Sequence, residues 1–180
     1  MSPQSPPTRT RVYLPATLAT LATAYVSGGF GAGCAAHAVT GAVREWYIEG
    51  DLEELEYAAL SEAADASLRL LAGELAAEAR YEYRRVVIAA DVAAECVQPV
   101  TDASPGRARS AIRLSCTVPL RAMVSVHVDE DAPAVRSAVA DAIAALPAAD
   151  AGDDDAAFVL DEARSHELLW FDVTEIPDVI

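Results

Sequence analysis

Apolar and polar positions follow a helical period most clearly over residues 45–73. The stretch opens at 44–48 with one or two amphipathic turns. Gly50 reads as a stop, because glycine accepts the left-handed conformation that closes a helix. Asp51 follows as an N-cap, with Glu54 three residues on completing a variant capping box. From Leu52 onward, Leu55, Ala59, Ala63, Ala66 and Leu70 form one apolar stripe at about 100° per residue. Tyr57, Leu60, Ala64, Leu68 and Leu71 form a second beside it. Together they make an apolar arc wide enough for a mostly buried helix. Glu53, Ser67 and Glu56 interrupt that arc. Glu53 stands in the first turn, where the helix dipole favours a carboxylate, and Ser67 can bond back to its own helix. Glu56 has neither support, so it calls for an arginine partner such as Arg44, Arg84 or Arg85, or for a cleft.

The remaining patterns are shorter. Residues 11–14 read as a strand stopped by Pro15, and 17–26 as a helix weakened by threonines. The glycine-rich stretch 27–33 reads as a mobile linker. It follows a helix pattern, carries no Lys-Ser/Thr ending and precedes no strong helix start, so it lacks the setting of a phosphate-cradling loop. Residues 36–39 form a second strand, followed by Thr40 as a cap, and 73–83 a helical tail or loop. Residues 86–90, led by three β-branched side chains, suit a strand covered on both faces. Residues 98–110 read as an exposed loop. Alternation at 112–118 and 124–129 predicts two strands, each with one wet face. Asp131 and Pro133 begin a helix whose core face is Val135, Val139, Ala142, Ile143 and Leu146. An acidic loop at 148–155, a short helix at 158–166 and a strand at 168–173 complete the chain, with Pro177 ending the pattern. This order predicts an α+β fold: a two-layer sandwich with a mixed sheet and helices mainly on one face, in a ferredoxin-like layout. Residues 1–10 read as a flexible tail and 11–180 as a single domain.

Composition narrows the functions. The chain has 180 residues, no lysine and no asparagine, and a net charge of −15. An acidic surface repels phosphate backbones and anionic lipid, so neither nucleic acid nor membrane is an expected partner. Cys34, Cys96 and Cys116 show no paired framework and no metal spacing, which suits a reducing, cytoplasmic setting. No cofactor or metal is expected.

Several side chains could carry chemistry. Ser125, His127 and Asp129 share one strand face and are the residue types of a hydrolytic triad. A flat strand does not by itself hold a nucleophile, a base and an acid in relay, and a polar sheet face accounts for the pattern. Glu162 and His166, four apart, could offer two metal ligands where zinc needs more. The acidic run 150–155 does not match a calcium loop. Cys34 and His37 fall on opposite strand faces. Asp172 interrupts an apolar strand. The candidate site residues are therefore Glu56, His127, His166 and Asp172.

The segments RVYLPATL, AHAVTGAVREWY, EELEYAALSEAADASLRLLA, VSVHVDE and HELLWFDVTEIPD resemble an uncharacterised protein family of actinobacteria, a domain of unknown function. The resemblance implies one intact domain after the tail. It brings no activity and no catalytic residue.

Two readings follow. One is a non-catalytic interaction or regulatory module that binds a protein partner or a second copy of itself. The other is a small-molecule-binding domain or hydrolase-type enzyme using Glu56 with a histidine. A pocket joining Glu56 to a histidine favours the second, and a filled core favours the first. The charge also gives an expected outcome. No duplex DNA complex of about micromolar affinity or tighter should form at physiological salt. A mobility-shift assay showing such a complex, weakening as salt rises, would contradict this.

Overall fold

The computed structural model describes residues 8–47, 49–76, 82–100 and 108–180. In chain order the elements are β1 (Arg9–Ala16), α1 (Leu18–Ser27), β2 (Gly29–Phe30), β3 (Ala35–Ala38), α2 (Gly41–Trp46), α3 (Leu52–Ala76), β4 (Val86–Ala93), β5 (Val97–Pro99), β6 (Ala111–Leu114), β7 (Val118–Pro119), β8 (Met123–Val128), α4 (Pro133–Asp150), α5 (Asp154–Ser165), β9 (Leu169–Asp172) and α6 (Ile176–Val179). Seven strands form one sheet in the order β5-β6-β3-β1-β4-β8-β9, and β2 pairs with β7 separately.

The class is α+β. Two finer features differ from expectation. Each neighbouring pair in the seven-stranded sheet is antiparallel, so the sheet is not mixed. A complete ferredoxin-like layout is also not the observed one: β3 and β4, linked through α3, flank β1 as in a split βαβ unit, but the second helical connection, α4 and α5, returns from β8 to its own antiparallel neighbour β9.

Period-two alternation sends successive side chains to opposite faces. Val12 and Leu14 of β1, Val86 and Ile88 of β4, and Val126 and Val128 of β8 pack with Leu21 of α1 and Ile176 of α6. Tyr13, Val87 and Ala89 face the other way, against Ala59, Ala63 and Ala64 of α3. Alanines at the contact let the helix approach the sheet closely. Leu68 and Leu71 on the outer side of α3 meet Val139 and Leu146 of α4 and Leu160 of α5. The sheet thus carries α3 on one face, with α4 and α5 stacked beyond it, and α1 and α6 on the other.

The capping box at the start of α3 forms as the sequence predicts. Glu54 N donates to Asp51 Oδ1 at 3.0 Å, and Asp51 N donates to Glu54 Oε2 at 3.2 Å. Ser67 acts differently. Fully buried, it donates to the carbonyl of Ala16 at 2.7 Å and accepts from the amide of Val86 at 2.9 Å. Ala16 and Val86 are register partners, so Ser67 clips the helix to the end of the β1–β4 ladder rather than to its own turn. Tyr57 and Leu70, on the expected apolar arc, are exposed.

Other differences have local causes. β1 runs through Pro15, because its ladder to β3 uses Val12 and Tyr13 and asks no donor of Pro15 on that side. β1 also begins at Arg9, inside the expected tail. The pattern at 112–118 divides into β6 and β7. α4 continues through Pro147 to Asp150. α5 begins at Asp154, because Asp153 accepts from Ala156 N at 2.9 Å and Asp154 and Asp155 suit the positive end of the helix. The expected acidic loop is thereby reduced to a tight turn at Gly152, φ +91°. Residues 101–107 of the expected loop, 77–81 of the expected tail and 1–7 lie outside the described residues. Cys96 and Cys116 are joined in a disulfide, Cα–Cα 5.5 Å, beside the β5–β6 ladder. The expectation of no paired cysteines is corrected, and the compartment argument built on it loses its support.

The stretch 27–33 is not a linker. Gly29 and Phe30 pair with Pro119 and Val118. Gly29 has φ +143°, and a Cβ there would collide with the Val118 carbonyl and lie 2.7 Å from Pro119 Cα. Gly31 has open space around it. Gly29→Ala should therefore destabilise by roughly 1–3 kcal/mol or more, and Gly31→Ala by less than about 0.5 kcal/mol. Denaturant melts of both variants check the contrast; equal effects would contradict the pairing.

Candidate functional site

The first turns of α3 pass over a row of sheet residues fixed by register. Tyr13 pairs with Ala89, and Ala89 with Ser125. One row along, Val87 pairs with His127, and His127 with Trp170. On the other side, Arg11 pairs with Asp91. Cross-strand partners stand side by side on one face. Ala89 and Ser125 are small, so the sheet floor is hollow between Tyr13 and His127. Glu53, Glu56, Tyr57 and Leu60 of α3 wall the hollow, and Trp170 stands at its rim. The cleft measures about 250 Å³.

Its groups are electrostatically distinct. The Arg11 Nε donates to Asp91 Oδ1 at 2.6 Å and Nη2 to Oδ2 at 3.2 Å. These hydrogen bonds hold the guanidinium pKa above its ordinary value. The Tyr13 phenol is pushed up to about 12, first by burial and then by the negative charge of Glu56, with Arg11 opposing. It is a neutral donor at any ordinary pH. Ser125, 3% exposed, lies 3.0 Å from His127 Nε2. Burial lowers the His127 pKa, and the Arg11 charge lowers it further. His127 is thus a neutral ring against a buried hydroxyl.

Of the four residues singled out in the sequence, Glu56 and His127 share this cleft. Glu56 is half-buried beside Arg11 and Tyr13, not paired in the core as expected. Arg85 is engaged by Asp129 and Arg84 by the Asp129 carbonyl, while Arg44 is exposed. Asp129 itself is fully buried against Arg85, so it is not an acid behind His127. The strand face carrying Ser125, His127 and Asp129 is covered by α3 and is not the wet face expected. Asp172 is exposed and caps the turn after β9. It accepts from the Thr174 hydroxyl at 2.6 Å and amide at 2.8 Å, which lower its pKa. His166 leaves α5 with ψ 116°, so helical spacing does not set it beside Glu162. It lines a separate recess of about 220 Å³ with Arg85 and Leu168. Among the described residues no group of three or more His, Cys, Asp or Glu is placed to hold a metal ion, and no helix is long and apolar enough to cross a membrane.

Arg11, Tyr13 and Trp170 were missed. A signal existed: Arg11 and Tyr13 alternate with Val12 and Leu14, which places both on one face.

The two lowered histidines give a pH dependence. His37, buried with Nδ1 2.7 Å from Ser110 Oγ, also has its pKa lowered, chiefly by burial. A histidine pKa lower in the folded than in the unfolded chain means that the unfolded chain binds more protons. Stability is then complete above the unfolded value near 6.5 and falls as pH drops below it. The denaturant midpoint should decline from about pH 7.5 to about pH 5.5, less steeply in His127→Gln. A midpoint that holds or rises over that range would contradict the assignment.

No curated protein and no solved structure matches the chain. A family model matches over residues 10–180, which includes each side chain of the cleft. The chain belongs to that family, the family of unknown function DUF6912.

Proposed function

We propose that this protein is a small-molecule-binding domain whose ligand, a compact amine-bearing cation, occupies the cleft between α3 and the sheet. The observation that carries this reading is the joining of Glu56, Tyr13 and His127 around one hollow. Of the two readings left open by the sequence, that geometry favours the second.

Charge selects the ligand class. Arg11 is neutralised by Asp91 within the site. His127 is neutral, and Tyr13 keeps its proton. Glu53 and Glu56 remain as the net charge of the walls. Tyr57 and Trp170, both exposed, offer ring faces of the kind that attract ammonium groups. Tyr13 and Ser125 supply hydrogen bonds at the floor.

Binding is favoured over hydrolysis. The Ser125–His127 contact has the form of a nucleophile and base. A working pair needs an acid on the other ring nitrogen to stabilise the imidazolium, and donors for an oxyanion. Among the described residues no acid bonds His127 Nδ1, and the neighbouring Arg11 opposes a positive ring.

Benzylamine, benzyl alcohol and benzoate share one shape and differ in charge, so thermal-shift titrations with the three test the reading. Benzylamine should stabilise most. Glu56→Gln should fold normally and bind benzylamine about tenfold more weakly, as loss of a charge-assisted contact implies. Equal responses to amine and alcohol, or an unchanged response in Glu56→Gln, would overturn it.

A further inference from the structure

We infer that a second, independent ligand site lies beside the middle of α3, where His37 presents a bare ring nitrogen to a cavity that accepts a small neutral molecule carrying a hydroxyl or N–H donor. The cavity measures about 680 Å³ and is bounded by β3, α3, α4 and α5.

Ser110 is fully buried. Its amide donates to Glu62 Oε2 at 2.8 Å, and its hydroxyl donates to the same oxygen. The single hydroxyl hydrogen is thereby used. Towards His37 Nδ1, 2.7 Å away, Ser110 Oγ can only accept. Nδ1 therefore carries the ring proton and Nε2 carries a lone pair. A hydrogen bond at one ring nitrogen fixes a histidine tautomer in this way. His37 is 5% exposed, yet no buried side-chain nitrogen or oxygen among the described residues lacks a partner. Among the described residues no group bonds Nε2, so that nitrogen opens to the cavity His37 lines. Burial keeps the ring neutral.

The arginines around the cavity are already engaged within the protein. Arg69 donates to both oxygens of Asp150, at 2.8 and 2.7 Å. Arg164 donates to Asp65 and Asp161. Arg109, at the rim, stacks on Trp46 at 3.7 Å. Between them the wall is Leu68, Leu146 and Leu160. The wall is mixed, so what selects a ligand is one donor aimed at His37, and an ion would have to compete with the existing pairs.

Phenol and anisole test the proposal, since they differ in the donor alone. Titration of the full chain followed by histidine ring ¹⁵N resonances should move His37 Nε2 with phenol. Phenol should bind about tenfold more tightly than anisole, the range of one hydrogen bond. In His37→Phe that preference should vanish. Equal affinity for the two probes in the wild-type chain would overturn the proposal. So would a phenol titration that leaves His37 unmoved, or one that moves His127 instead. Both of these readings use the wild-type protein and stand even if the variant does not fold.

Discussion

Arg85 and Asp129 form a bidentate ion pair with side chains 3% and 0% exposed. Removing two charges from water is costly, and such a pair persists only when hydrogen bonds satisfy it closely. Here they do. Asp129 accepts from Arg85 Nη2 at 2.7 Å, Nε at 2.9 Å and its backbone amide at 2.7 Å. Arg85 also donates to the carbonyl of His166 at 2.8 Å, and Arg84 Nε donates to the Asp129 carbonyl at 2.9 Å. One buried knot thus joins the start of β4, the end of β8 and the turn between α5 and β9. The same α5 terminus reaches α3 through Arg164 and Asp65. The helix layer is therefore referenced to the sheet at a fixed point.

The two cavities follow from how α3 lies across that reference. Ser67 and the alanines at 59, 63 and 64 draw the middle of the helix onto β1 and β4. Towards its start, the floor falls away at Ala89 and Ser125, and Glu56 overhangs the hollow. On the flank of that middle stretch, Glu62 reaches sideways to Ser110 and His37, and Leu68 turns to α4 and α5. One helix presents a carboxylate to each cavity. The first cleft leaves that carboxylate near a phenol and a neutralised arginine. The second commits it to a serine, which in turn orients a histidine.

Much of the fold was legible because its signals are local. The Asp51–Glu54 capping box, the α3 period and the β8 alternation are each written within a few residues. Glu56 could be singled out because it breaks a local rule, His127 because strand alternation sets it beside Ser125, and both stand in the cleft. What could not be read was the identity of partners. Glu56 and Asp129 are both carboxylates on apolar stretches, and the arginine expected for the first belongs to the second. That choice is made by strand register, which brings Asp129 to Arg85 across 44 residues. Ser110 and His37 are 73 apart, and Cys96 meets Cys116 through the β5–β6 ladder. Pro15 misled for the converse reason, since a local rule yielded to tertiary packing.

The claim on which this account rests is that the Arg85–Asp129 pair, and not apolar packing alone, sets the sheet against the helices. A double-mutant cycle with Arg85→Met, Asp129→Leu and both together measures it directly. Each single change strands a buried charge and should cost roughly 3–5 kcal/mol. The double variant, with neither charge, should recover much of that loss, leaving a coupling of more than about 2 kcal/mol. Single changes that are each small, and whose effects simply add in the double variant, would contradict the account.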